Sequence, residues 1–145
     1  MTTEIRQFFD RYRDAFNELD GEAVARLYAV PSGLVTGEGY THWPEFDAVR
    51  KNMLALCKMY RDNGYVSANF EPAAFLAQGE DFAVADVRWR IERTQGQEPW
   101  YFNTTYNLCR KPEGWRVLLA TAYEEGRLDA WPLKTFTKRI RYGSK

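Results

Sequence analysis

His42 is the single histidine of the chain and stands in "YTHWPE", residues 40–45, beside Tyr40 and Trp43. Imidazole is the side chain whose ordinary pKa lies nearest neutrality, so His42 is a candidate proton carrier. Its surroundings offer a plainer explanation. Pro44 suits the first position of a helix, and Glu45 and Asp47 complement the positive end of a helix dipole. His42 and Trp43 are therefore expected at a helix entrance, with His42 not essential to a catalytic step. Metal chemistry finds no ligand set: one His, the distant Cys57 and Cys109, and no close carboxylate pair on a helix face. The two cysteines read as reduced core filler. No glycine-rich phosphate loop or nucleophile elbow appears, since Gly37 and Gly39 precede no phosphate-binding helix motif, and no cofactor is expected.

The 145 residues fit one domain with one core. Twenty basic and twenty acidic side chains cancel, so the chain offers no broad field for phosphate backbones or anionic lipid, and nucleic acid is not an expected partner. The aromatic share of 16% is high and implies a large core, a pocket wall or an interface. No apolar run reaches the length of a membrane span, and "MTTEIRQFFDRYRD" is charged from its first turn, unlike a signal peptide. The expectation is a cytoplasmic protein without a membrane partner.

Apolar residues recur at Ile5, Phe8, Phe9, Tyr12, Ala15, Phe16 and Leu19, the spacing of a helix with one buried stripe. "LDGEAVARLYAVP" restarts a helix capped by Asp20 and ended by Pro31. A brief strand is expected around Leu34–Thr36, then a loop. A third helix follows Pro44, with Phe46, Val49, Met53, Leu56, Cys57 and Tyr60 on its apolar stripe and a stop at Gly64. "YVSANFEPAAFLAQ", "FAVADVRWRIERT", "PWYFNTTYNLCRK" and "WRVLLATAYEE" then read as four strands joined by turns, with Pro72 marking a bulge or an edge. Helices first and a meander after them predict an α+β domain with helices on one face of an antiparallel sheet. The domain is expected over residues 1–128. Residues 129–145, with Lys134, Lys138, Arg139, Arg141 and Lys145 and no acid from Leu133 onward, read as a basic tail.

This order of elements, with "DRY" at 10–12, the sixteen-residue step from Tyr12 to Tyr28 and "AY" at 122–123, resembles the nuclear transport factor 2-like superfamily. That superfamily has the cone-shaped, cystatin-like fold of ketosteroid isomerase and the polyketide cyclases, and the likeness covers roughly residues 5–125. It implies a curved sheet with the N-terminal helices on its concave face. It also implies that Tyr12 is the helical tyrosine that donates into an oxyanion hole. Where the isomerase pattern has its aspartate base, this chain has Thr36, and where it has a protonated aspartate, this chain has Asn107. An amide still donates a hydrogen bond, but the proton shuttle of a steroid isomerase is missing.

The same resemblance orients the strands. It places Ala83, Ala85, Val87, Trp89 and Ile91 toward the cone, with Leu118, Ala120, Ala122 and Glu124 on the last strand. Tyr12, Phe16, Tyr28, Thr36, Trp43, Ala85, Val87, Trp89, Asn107, Ala120, Ala122 and Glu124 would then bound a mainly apolar pocket for a small hydrophobic ligand. Glu124 is the carboxylate that desolvation would favour as a base; a solvated strand end is the competing reading. Tyr12 and Asn107 would be donors, with Glu124 or His42 carrying the proton. A small-molecule pocket, with or without turnover, stands narrowly ahead of a homodimeric scaffold or protein-docking domain whose cone is filled by its own side chains. In this register Trp100, Phe102, Thr104, Tyr106, Leu108, Trp115, Val117, Leu119 and Tyr123 face outward, and an apolar face of that size predicts a homodimer packed sheet against sheet. A register shifted by one residue would instead put Tyr106 and Tyr123 in the pocket and Asn107 and Glu124 in solvent.

Overall fold

The computed structural model describes residues 1–124. Helix α1, Thr3–Asn17, starts where the Thr2 hydroxyl accepts from the Ile5 amide at 3.2 Å. It buries Ile5, Phe8, Phe9, Tyr12 and Phe16, the stripe read from the spacing. Helix α2, Gly21–Ala25, is a single short turn and a half capped by Asp20, whose carboxylate accepts from the Ala23 amide at 3.0 Å. Helix α3, Phe46–Asp62, buries Val49, Met53, Leu56, Cys57 and Tyr60 and ends before Gly64, which turns the chain at a φ of +82°.

Gly21 is buried where α2 crosses α3. A Cβ at this position would stand 2.8 Å from the Leu54 nitrogen and from the Met53 carbonyl oxygen, both backbone atoms that cannot swing aside. Gly21→Ala should therefore destabilise the domain by about 1–3 kcal/mol, the usual range for overpacking. Urea unfolding checks this, and an unchanged midpoint would mean that the two helices can separate freely.

Six strands form one sheet in the order β2-β1-β6-β5-β4-β3. They are β1 Tyr28–Thr36, β2 Gly39–Trp43, β3 Tyr65–Gln78, β4 Phe82–Arg93, β5 Trp100–Lys111 and β6 Gly114–Tyr123. Neighbours are antiparallel except β1 and β6, which run parallel. The expected α+β class and the four-strand meander are both present. Pro72 sits on the edge strand β3 at a break in its register, where a missing N–H does least harm. The expected basic tail, 129–145, lies outside the described residues.

Two expectations near the N-terminus are corrected. The second helix does not continue to Pro31, because Tyr28 already pairs with Val117 of β6, and Pro31 lies within β1. Pairing across the sheet overrides a helical spacing of only a few residues. The segment read as a loop after Thr36 is the other half of a hairpin, with Thr36 opposite Gly39 and Gly33 opposite His42. His42 and Trp43 thus belong to a strand, and the helix begins two residues after Pro44.

The helices cover one face of the sheet. Phe9 of α1 meets Phe70 and Tyr106, and Tyr12 meets Trp89, with ring centroids 5.0–6.0 Å apart. Cys57 is held within this core, and burial pushes its thiol up to about 11, as expected of filler rather than a nucleophile. No helix among the described residues is long and apolar enough to cross a membrane.

Candidate functional site

Direct partners across a sheet share a face, so pairing assigns the inner residues. Ala85 lies opposite Tyr106, Val87 opposite Thr104 and Trp89 opposite Phe102, and all six are buried. Ala120 and Ala122 lie opposite Tyr106 and Thr104 on the other side. The inner face of β5 is therefore Phe102, Thr104, Tyr106 and Leu108. Asn107 pairs with Val84 and Leu119 on the outer face. This corrects the register drawn from the resemblance and removes Asn107 from the cone.

The correction on β6 is different in kind. Asn107 pairs with Leu119 but Leu108 pairs with Val117, so Leu118 is an extra residue at a bulge. Alternation changes phase there: Trp115 and Val117 turn inward before it, and Ala120 and Ala122 turn inward after it. Of the residues expected outside, Phe102, Thr104, Tyr106, Leu108, Trp115 and Val117 are buried, while Tyr123 is exposed. Glu124, one residue past β6, is half-buried with Oε1 shielded from solvent.

Inside the cone, Tyr12 is 1% exposed and its hydroxyl lies 2.8 Å from that of Tyr28. The Trp89 indole N–H donates to the Tyr106 hydroxyl at 3.0 Å. Tyr12 stacks edge-on to Tyr106 at 5.4 Å, and Phe16 meets Tyr60 at 5.8 Å. Among the described residues this cluster leaves a cavity of about 10 Å³, bounded by aromatic rings, Ala68 and Ile91. That is about the room of one water molecule. Tyr60 and Phe102 were not among the candidate pocket residues, and Tyr106 was one only in the shifted register, which holds for β5 but not for the exposed Tyr123. The buried stripe of α3 signalled the first, and the apolar alternation of β5 signals the other two.

Thr36 closes β1 half-buried, and its hydroxyl accepts from the Glu38 amide at 3.1 Å. Trp43 is buried against Tyr28 with ring centroids 5.7 Å apart. The imidazole of His42 is exposed, with Nδ1 3.1 Å from the Tyr40 hydroxyl, on the outer face and away from the aromatic cluster. His42→Ala should shift stability by no more than about 0.5 kcal/mol, as surface changes usually do. Chemical denaturation checks this, and a loss several times larger would make the imidazole a structural strut.

The outer face carries its own polar cluster. Asp86 accepts from the Tyr123 hydroxyl at 2.6 Å and from the Thr105 hydroxyl at 3.3 Å, and Asn103 donates to the Tyr123 oxygen at 3.4 Å. Burial first, and then the Asp86 carboxylate, raise the Tyr123 phenol above its ordinary pKa. No group of three or more His, Cys, Asp or Glu gathers in a metal-holding arrangement among the described residues.

Solved structures share this architecture. A domain of unknown function with a cystatin-like fold from Nostoc punctiforme is 19% identical with a TM-score of 0.71, covering 89% of this chain and 82% of that one. An NTF2-like protein with a cystatin-like fold from Novosphingobium aromaticivorans is 20% identical with a TM-score of 0.70, covering 92% and 88%. A ketosteroid isomerase-like protein from Erwinia carotovora atroseptica is 16% identical with a TM-score of 0.66, covering 86% and 95%. At these identities the likeness carries the fold alone. No curated protein matches the chain. The model of the family described as NTF2-like protein (DUF6841) matches residues 3–125, and with its curved six-stranded sheet and inward helices the chain belongs to that family.

Proposed function

We propose that this NTF2-like domain is a non-catalytic assembly module whose cone is filled by its own aromatic side chains. The observation that carries it is that, among the described residues, Tyr12, Phe16, Tyr60, Trp89, Phe102 and Tyr106 leave a cavity of about 10 Å³ between them. Small-molecule sites are usually formed in advance at about 300–1,000 Å³. Among the described residues two pairs of polar groups in and beside this cluster hydrogen-bond to each other, Tyr12 with Tyr28 and Trp89 with Tyr106. The assembly we propose is a homodimer through the outer sheet face, on a residue set that keeps only Leu119 and Tyr123 of those expected from sequence. There Tyr40, Leu76, Phe82 and Tyr123 are 38–62% exposed around the half-buried Val84 and Leu119.

Titration with 2-naphthol and 1-anilinonaphthalene-8-sulfonate, followed by fluorescence, tests the filled cone. No saturable binding is expected; saturation at micromolar concentration would overturn it. One observation favours a second reading, a cone that widens around a small ligand. The Thr104 hydroxyl is fully buried on the inner face without a hydrogen-bond partner among the described residues, an arrangement that proteins generally avoid. Saturable binding that is weakened in Thr104→Val would establish that reading instead.

A further inference from the structure

We propose that a groove on the outside of the domain binds a soluble organic anion, a carboxylate or phosphate head on a short apolar body. The groove has a volume of about 540 Å³ and lies between the end of α2, the first residues of β1, the start of α3 and the β5–β6 turn. Its lining sets three cations, Arg26, Lys111 and Arg116, against one acid, Glu113, and adds apolar surface from Val30 and Phe46. It shares no lining residue with the small cavity in the cone, and Tyr28, whose hydroxyl reaches Tyr12, stands between the two.

The cations are not equivalent. Arg26 is tied to Glu22 at 2.7 Å, which holds it at the rim and neutralises it. Arg116 is half-buried and donates one N–H, from Nη1, to the Trp115 carbonyl at 2.6 Å. A guanidinium carries five N–H donors, and Arg116 has no carboxylate within 4.0 Å among the described residues, nor has the exposed Lys111 nearby. A half-buried guanidinium with open donors beside a free ammonium matches a planar or tetrahedral anion, which it can grip with paired hydrogen bonds. Val30 and Phe46 would cover the apolar body. A polyanion is the wrong occupant, because the chain has no net charge and the groove only three cations.

Phenyl phosphate and benzoate are the probes, with inorganic phosphate and benzyl alcohol as the separate halves, read by amide chemical shifts of the full chain. Shifts should cluster at Val30, Phe46 and residues 111–116, and phenyl phosphate should bind at least about tenfold more tightly than either half, roughly the effect of one good charge-assisted contact. Arg116→Gln should weaken it about tenfold, and Glu113→Gln should tighten it. Lys111→Gln, at an exposed position, gives the same loss without risk to the fold. Binding that is unsaturable, or indifferent to both cation variants, would overturn the proposal. Shifts at Trp89 and Tyr106 instead would overturn it and the filled cone together, whereas silence at the groove alone leaves the filled cone standing.

Discussion

Phe102→Ala should destabilise the domain by about 3–5 kcal/mol and leave a dry cavity that binds benzene. Phe102 is 4% exposed, faces inward opposite Trp89 and borders the small space at the centre of the cone. If the cone is filled, the ring is packed on every side and its removal loses both its transfer energy and its contacts. If instead Phe102 lined an open pocket, one side of the ring would already be bare and the loss would fall well below that range. Urea unfolding with and without benzene reads both parts. The expected result is a large loss, partly restored by benzene in the variant and unaffected by it in the wild type. A loss below about 1 kcal/mol, or benzene stabilising the wild type, would contradict the packing described here.

The second large effect concerns assembly. Wild-type protein should sediment at twice the 17.0 kDa chain mass at micromolar concentration, and Phe82→Glu combined with Leu119→Glu should return it to 17.0 kDa. Both positions lie on the outer face, Phe82 half exposed and Leu119 half-buried beside Asn107. Two carboxylates buried against their own copies would be unpaired, and a dimer constant should weaken by about a hundredfold or more. Circular dichroism confirms that the variant folds. A wild type that sediments at 17.0 kDa would remove the homodimer, and an unmoved mass in the variant would move the interface elsewhere.

Much of the fold was legible because its signals are long. The stripe of α1 and that of α3 each span several turns, and the β4 alternation Ala83 to Ile91 is unbroken. The site was less so, for reasons of register. On β5 the apolar even-numbered residues go inward, as hydrophobic alternation alone would place them, whereas counting along the isomerase pattern put Asn107 inside. On β6 the extra residue at Leu118 changes the phase, and a bulge leaves no trace in a five-residue alternation. The β1–β2 hairpin escaped because Val24, Leu27 and Tyr28 carry a helical spacing that pairing with β6 overrules. Tyr12 is legible on both grounds, since stripe and "DRY" place the same residue at the interior.

The filled cone is the claim on which the assembly proposal depends, and diffraction from xenon-pressurised crystals tests it most directly. Xenon enters dry apolar cavities of engineered size, about 150 Å³, and has no place in one of water size. The wild type should show no xenon among Tyr12, Phe16, Trp89 and Phe102, while Phe102→Ala under the same pressure should show a site there. A well-occupied xenon peak inside the wild-type cone would contradict the filled core and restore the interior as a binding pocket.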